Sequence, residues 1–318
     1  MLPAAEAPHG VEDTHDGAIA GGSGYPLPMP ELPEVEVTRL RIEPALVGRR
    51  IRRVVTTPDS YFFLTRPARL KRSLAGRRVE SLDRHGKYLV ANLDGGSRLV
   101  VHLGMTGQLF SSGATSVRLL SATARAALAP EEQGRFVPDA HTHLRLCFAS
   151  GPEVYLRDVR KFGKVLLLGP GETSPRLGRL GVDALGATGE QLFRATRGRR
   201  VAIKSLLLDQ SILAGVGNIY ADEALFHAGV RPRRAASRLT QRECAALAQA
   251  IRAVLERSIE TGGSSIRDYV APDGSDGAYQ DERFVYARAG ESCLRCGEKV
   301  RRVVVAQRGT HYCPGCQK

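Results

Sequence analysis

Four of the six cysteines cluster at the C-terminal end, as Cys293-x-x-Cys296 and Cys313-x-x-Cys316. Two tight turns that each present two sulfurs suit a tetrahedral zinc ion, one per chain and structural in role. Gly297 follows the first pair and Pro314-Gly315 sits inside the second, so each turn has its small residue. Between them 299–306 is a β-type run holding Val300, Val303, Val304 and Val305, which predicts a zinc-pinned hairpin. Two disulfides or free thiols are the alternatives, and an opening with neither a basic start nor an apolar stretch reads as no secretory signal, which favours metal. Cys147 and Cys244 lie in apolar stretches and read as buried structural residues.

Other groupings could do chemistry. Gly215-Val216-Gly217-Asn218 lies between two helical segments; its glycines allow close backbone approach, and Asn218 suits the N-cap of a helix starting at Ile219. Free N–H groups at such a start can hold a phosphate, with Lys204 adding charge, although a plain tight turn explains the motif equally well. Asp158-Val159-Arg160-Lys161-Phe162-Gly163 puts two cations and a ring beside a turn glycine, where a surface hairpin is the simpler reading. His102-Leu103-Gly104-Met105-Thr106-Gly107 is a second glycine-flanked turn, whose Met105 reads most simply as buried. His141 and His143 share a strand face, but no clustered carboxylate or cysteine supports a second metal there.

These groups need elements to hold them. From 50 to 168 short strand-like runs alternate with turns: Ile51–Thr56, 78–82, Tyr88–Leu93, 99–103, 144–148, 154–156 and Lys164–Leu168. That rhythm predicts a β-sandwich. A helix should precede it over 31–46, with Pro33 in its first turn, Gly48 as a stop, and Pro44 kinking it or ending it early. The stretch 112–134 breaks the rhythm and reads as a surface insertion, with one helical turn within 119–128. After a glycine-rich linker over 169–188, helical spacing takes over in Gly189–Thr196, 201–208, 219–228 and Gln241–Glu260. The polar segment 262–279 is long enough to be a functional loop. The class is therefore α+β and multidomain: a disordered or misassigned extension over 1–29, a sandwich over 30–168, a linker over 169–188, a helical domain over 189–281 and a zinc finger over 282–318.

Composition narrows the partner. The chain has 318 residues and carries 46 Lys plus Arg against 33 Asp plus Glu, a formal charge of +13. The stretch 1–28 holds the acids Glu6, Glu12, Asp13 and Asp16 and no Lys or Arg, so the rest of the chain is more basic still. Such an excess favours a polyanion, nucleic acid before a membrane surface, because fixed cations displace condensed counterions. No apolar run approaches the roughly 18 residues of a membrane helix. With no Trp and 6% aromatics, stacking platforms are too scarce for a dedicated single-strand binder.

In chain order the segments Pro30-Glu31-Leu32-Pro33-Glu34-Val35-Glu36, Gly86-Lys87-Tyr88-Leu89, His102-Leu103-Gly104-Met105, Arg160-Lys161-Phe162-Gly163, Gly215-Val216-Gly217-Asn218-Ile219-Tyr220 and Gln307-Arg308 with Cys313-Pro314-Gly315-Cys316-Gln317 resemble the formamidopyrimidine-DNA glycosylase family of base-excision repair enzymes. The resemblance covers nearly all of 30–318. It implies a β-sandwich, a helix–two-turn–helix domain and a zinc finger. It also implies excision of 8-oxoguanine and formamidopyrimidines from double-stranded DNA, followed by strand cleavage, by a monomer working in the cytoplasm at the nucleoid.

The resemblance carries roles with it. Pro30 would attack C1′ through a secondary amine, forming a Schiff base; Glu31 would protonate the sugar ring oxygen. Lys87 would contact phosphate and assist β-elimination, and Arg308 would bind phosphate for δ-elimination. Met105, Arg160 and Phe162 would fill the space left by the extruded nucleotide, Arg160 pairing with the orphaned cytosine. His141, Arg199, Lys204 and Asn218 would hold the backbone or the lesion, and the loop over 262–279 would close on the flipped base. One departure matters: the segment 1–29 precedes Pro30 here, and an amide nitrogen cannot attack, so the chemistry expects a start at Met29 or removal of the extension. The rival readings are an endonuclease VIII-like enzyme for oxidised pyrimidines and a non-catalytic damaged-DNA-binding zinc protein.

Overall fold

The computed structural model describes residues 30–114, 136–265, 269–273 and 275–318. The expectations for the 1–29 extension and for a helical turn within 119–128 lie outside the described residues.

Two four-stranded antiparallel sheets form the first domain. One has the order β1-β6-β7-β5, from Ile51–Thr56 (β1), Gly107–Ser111 (β5), Thr142–Phe148 (β6) and Val154–Asp158 (β7). The other runs β2-β3-β4-β8, from Val79–His85 (β2), Tyr88–Leu93 (β3), Arg98–His102 (β4) and Lys164–Leu168 (β8). Alternate residues point inward: Leu89, Ala91 and Leu93 of β3 and Val165 and Leu167 of β8 meet Ile51, Leu144, Leu146, Val154 and Leu156 of the facing sheet. β5 escaped the sequence reading because its buried positions include Gly107 and Gln108, which break the apolar alternation. A short helix, α2 (Pro67–Leu74), also escaped it; Leu70 and Leu74, one turn apart, enter the sandwich core between charged neighbours.

The opening helix α1 (Leu32–Leu46) runs through Pro44 instead of ending there. Pro44 leaves only the Leu40 carbonyl without its donor, on an exposed stretch where water can serve it, while Ile42, Ala45 and Leu46 anchor the last turn in the core. α1 is apolar on more than one side because it serves two cores. Val35 and Ile42 pack into the sandwich, and Leu32 packs into the helical domain.

The segment expected as a plain linker carries a short helix, α3 (Pro175–Gly178), and a strand, β9 (Val182–Asp183), which pairs in parallel with β10 (Leu213–Ala214). The helical domain contains α4 (Gly189–Thr196), α5 (Ile203–Leu207), α6 (Asn218–His227) and α7 (Gln241–Glu260). Thr188 and Thr240 open α4 and α7 with capping boxes. At the C-terminus β11 (Arg301–Val305) and β12 (Arg308–Tyr312) form the hairpin, with Ala306 and Gln307 left-handed at its tip (φ 49° and 57°). Among the described residues no helix is long and apolar enough to cross a membrane.

Candidate active site

Glu31 caps α1, and its backbone N–H donates to Glu34 Oε2 at 2.9 Å. Its own carboxylate reaches across to the helical domain: Oε1 accepts the Ile219 N–H at 3.0 Å, and Oε2 lies 3.5 Å from the Tyr220 nitrogen. The glycines of the preceding turn are needed for this approach, since a Cβ on Gly217 would lie 2.2 Å from Glu31 Cδ. The start of α6, read from the sequence as either a phosphate cradle or a plain tight turn, is thus filled by the chain's own carboxylate. The same observation corrects the capping expectation. Gly217 is the N-cap, Asn218 is the first helical residue, and the Asn218 amide donates instead to the Gly309 carbonyl at 3.0 Å.

Burial pushes the Glu31 carboxyl up to about 7, against the nearby Lys87 ammonium, which lowers it, and with Glu34, which raises it further. At neutral pH the group therefore holds a proton a large part of the time. Lys87 sits on the Gly86–Lys87 turn between β2 and β3, and burial lowers its pKa, with Arg308 acting in the same direction and Glu31 and Glu34 opposing. That turn is tied to the helical domain: the Gly86 N–H donates to Asp183 Oδ2 at 2.9 Å, and Arg84 bridges Glu36 (2.7 Å) and Asp183 (2.6 Å).

Glu31, Lys87, His102, Met105, Asn218, Tyr286 and Arg308 line one cavity of about 450 Å³. That lies within the ~300–1,000 Å³ range of small-molecule sites. His102 accepts the Gly104 N–H on Nδ1 at 3.1 Å, and burial lowers its pKa to about 4, so the ring is neutral and its proton sits on Nε2. Pro30 is buried immediately before Glu31. The structure thus brings Glu31, Lys87, Met105, Asn218 and Arg308 to one place. Residues 263–269, as far as described, fold onto α1: Glu34 Oε1 accepts the Ser264 N–H at 2.8 Å, and the Tyr269 hydroxyl donates to the Glu34 carbonyl at 3.1 Å.

The other candidates separate. Arg160 and Phe162 are exposed on the turn between β7 and β8, the guanidinium 4.7 Å from the ring centroid. His141 is half-buried in the turn before β6, where its backbone N–H donates to Asp139 Oδ1 at 3.0 Å. Arg199 is exposed and lines a different groove with Arg194 and Ser211. Lys204 corrects the expectation of a DNA contact. It is completely buried, paired with Asp222 at 2.7 Å, and donates to the Gly309 carbonyl and the Thr310 hydroxyl at 3.2 and 2.9 Å. Lys204 and Asn218 therefore converge on the same strand of the hairpin and hold the residue next to Arg308.

Sequence reasoning missed the acids that dock the finger. Asp222 accepts the His311 N–H at 2.7 Å, and Glu223 accepts the N–H groups of Phe284, Val285 and Tyr286 at 2.8, 3.0 and 2.8 Å. Adjacent acids in an otherwise apolar helix were the available signal. Gln317, quoted only as part of a motif, accepts the Cys313 N–H at 2.8 Å and donates to the Val230 carbonyl at 2.9 Å.

The sulfurs of Cys293, Cys296, Cys313 and Cys316 all lie within 4.8 Å of one another, with Cys293–Cys316 at 3.9 Å and Cys296–Cys313 at 3.4 Å. Zn–S bonds of about 2.3 Å in a tetrahedron put sulfurs roughly 3.8 Å apart, so this donor set fits one zinc ion. Cys147 and Cys244 are buried elsewhere.

Three family models match the chain: the formamidopyrimidine-DNA glycosylase N-terminal domain over 29–165, the formamidopyrimidine-DNA glycosylase H2TH domain over 180–270, and a zinc finger found in FPG and IleRS over 290–318. Formamidopyrimidine-DNA glycosylases of Thioalkalivibrio sulfidiphilus and Halorhodospira halophila are each 42% identical, over 297 and 294 residues, covering 91% of this chain and 100% of the relative. Among solved structures, the Thermus thermophilus Fpg protein superposes with a TM-score of 0.76 at 39% identity, over 91% of this chain and 98% of that one. Lactococcus lactis Fpg in complex with an abasic site containing DNA gives 0.77 at 34%, over 91% and 99%. The same protein with Fapy-dG containing DNA gives 0.76 at 33%, over 91% and 100%.

Proposed function

The chain belongs to the formamidopyrimidine-DNA glycosylase family, and on that premise we propose that it excises oxidised purines, 8-oxoguanine and formamidopyrimidines, from double-stranded DNA and then cleaves the strand as an AP lyase. The observation that carries the reading is a buried carboxyl, Glu31, raised to about 7 in the cavity it shares with Lys87 and Arg308 and placed directly after Pro30.

Pro30 is the nucleophile in this reading. A free N-terminal amine has a pKa near ~8, so a useful fraction is unprotonated at neutral pH. Its nitrogen bonds to C1′ as the glycosidic bond breaks with its electron pair going to the base, and the proton displaced from that nitrogen leaves with the base. Glu31 protonates the ring oxygen as the bond from C1′ to that oxygen breaks and the iminium forms. Lys87, its ammonium weakened by burial, contacts phosphate and assists β-elimination. Arg308, exposed at the hairpin, binds phosphate for δ-elimination. His141, Arg199 and Asn218 hold the DNA or the lesion, and Met105, Arg160 and Phe162 occupy the vacated stack. The four cysteines hold a structural zinc that fixes the hairpin and enters no chemical step. Such a substrate places the protein's work at the cell's DNA, in the cytoplasm at the nucleoid.

An amide-bonded Pro30 nitrogen has no lone pair to give, so the active form begins at Pro30. Borohydride trapping on an 8-oxoguanine duplex tests this. A chain starting at Pro30 should form a covalent adduct mapped to that residue, whereas Pro30→Gly, or the chain retaining residues 1–29, should bind the duplex without excision. Equal turnover by the blocked form would overturn the assignment, and faster cleavage of thymine glycol than of 8-oxoguanine would move the substrate to oxidised pyrimidines.

A further inference from the structure

A buried carboxylate with no part in that chemistry lies between the two loops that carry Met105 and the Arg160–Phe162 pair. Asp158, the last residue of β7, is fully buried. Its Oδ1 accepts the Thr106 hydroxyl at 2.5 Å and the Arg160 N–H at 3.2 Å, and its Oδ2 accepts the Gly163 N–H at 2.7 Å. Thr106, the residue after Met105, also accepts the Arg160 N–H, at 3.1 Å. One side chain therefore holds both ends of the Arg160–Gly163 turn and the end of the neighbouring loop, at Thr106 just before β5.

The surroundings reinforce the join. The loops touch backbone to backbone, since a Cβ on Gly104 (φ +66°) would lie 2.5 Å from both the Gly163 nitrogen and the Phe162 carbonyl carbon. His143 Nε2 lies 2.9 Å from the Asp158 carbonyl and its Nδ1 lies 3.1 Å from the Thr57 hydroxyl, so the ring fixes that backbone from below. On the outer side the Tyr61 hydroxyl donates to the Arg160 carbonyl at 3.1 Å. Within the turn Lys161 adopts a left-handed conformation, φ 57°, which a residue with a Cβ keeps only where its neighbours impose it. Phe162 and Val159 are meanwhile held out to solvent, 43% and 46% exposed.

We propose that Asp158, acting with Thr106, is a positioning residue that joins the two loops into one preformed wedge, so that Met105, Arg160 and Phe162 enter the duplex together. This rests on the glycosylase reading above. A wedge ordered before binding loses less conformational entropy on insertion than two independent loops. The carboxylate form matters, because three donors converge on it and an amide would turn an N–H toward one of them.

The test compares Asp158→Asn and Thr106→Val with the unchanged protein, each starting at Pro30 and checked for its zinc content and melting temperature. Two single-turnover rates are measured: excision of 8-oxoguanine paired with cytosine, and cleavage of a preformed abasic duplex; 2-aminopurine beside the lesion reports eversion. The expected result is at least a tenfold loss of both eversion and paired-lesion excision in both variants, with abasic cleavage within threefold of the unchanged protein. Thr106→Val leaves the buried carboxylate in place, so it decides the matter if Asp158→Asn fails to fold. Normal eversion in Thr106→Val, or equal loss of both reactions, would overturn the proposal. Failure of the unchanged protein to excise the lesion would instead overturn the glycosylase reading beneath it.

Discussion

Glu31 shows how much one residue's chemistry depends on its surroundings. In water a glutamate is ionised at pH 7 and useless as an acid; here burial holds its carboxyl at about 7. The folded pKa lies above the ordinary value of 4.5, so the folded chain keeps a proton that the unfolded chain has released. The sign follows directly. Stability linked to this group is fully present below about pH 4.5 and declines as pH rises toward 7. Glu31→Gln should therefore flatten the dependence of the melting temperature on pH across that window, which thermal unfolding at several pH values would detect. Excision should fall on the alkaline side as Glu31 ionises, and Glu31→Gln should lose about 10²–10⁴-fold in single-turnover excision. Cleavage of preformed abasic DNA should suffer much less, because an abasic sugar already equilibrates with its open-chain aldehyde and needs no acid from Glu31 to open the ring. A substitution that slowed both reactions alike would remove Glu31 from the proton-transfer role.

At the level of elements, the hairpin carrying Arg308 is held from two directions: by the four-cysteine cluster at its base and by Lys204, Asn218 and Asp222 against β12. Breaking a buried ion pair by removing one partner costs about 3–5 kcal/mol, so Lys204→Met should destabilise the chain on that scale, measured by denaturant unfolding. Chelation should release close to one zinc per chain and free Arg308 from its place, weakening DNA binding, because small four-thiolate sites fold with their metal. A zinc-free preparation with undiminished binding would contradict this. The finger and the sandwich were legible in sequence because thiol spacing and period-2 alternation are local signals. Lys204 was not: its partner Asp222 belongs to the next helix, and only the packing of α5 against α6 shows that the two meet. The burial of Glu31 was hidden for the same reason, since it comes from the Gly215–Asn218 turn in the other domain. α2 and β5 were lost through local ambiguity, a charged surface around Leu70 and Leu74 in one and glycine and glutamine at buried positions in the other.

Across the whole molecule, some of the 46 Lys and Arg are paired internally with some of the 33 acids, so the count of cations alone says little about phosphate contacts. Arg84 is spent on Glu36 and Asp183, joining α1, the sandwich and the strand β9 that leads into the helical domain. Lys204 is spent on Asp222. Arg199 and Arg308 remain exposed. Each cation that neutralises a phosphate releases condensed counterions, so the logarithm of the binding constant falls with the logarithm of salt by roughly 0.9 per contact. Salt titration therefore separates the two kinds of basic residue in a way that affinity at one salt concentration cannot. Arg199→Ala and Arg308→Ala should each reduce the slope by about 1. Lys204→Met should leave the slope within error of the unchanged protein at temperatures where it stays folded, even if affinity drops through a displaced hairpin. A slope that fell for Lys204→Met while Arg308→Ala left it unchanged would mean that DNA binding rearranges the buried pair and exposes the lysine to the backbone.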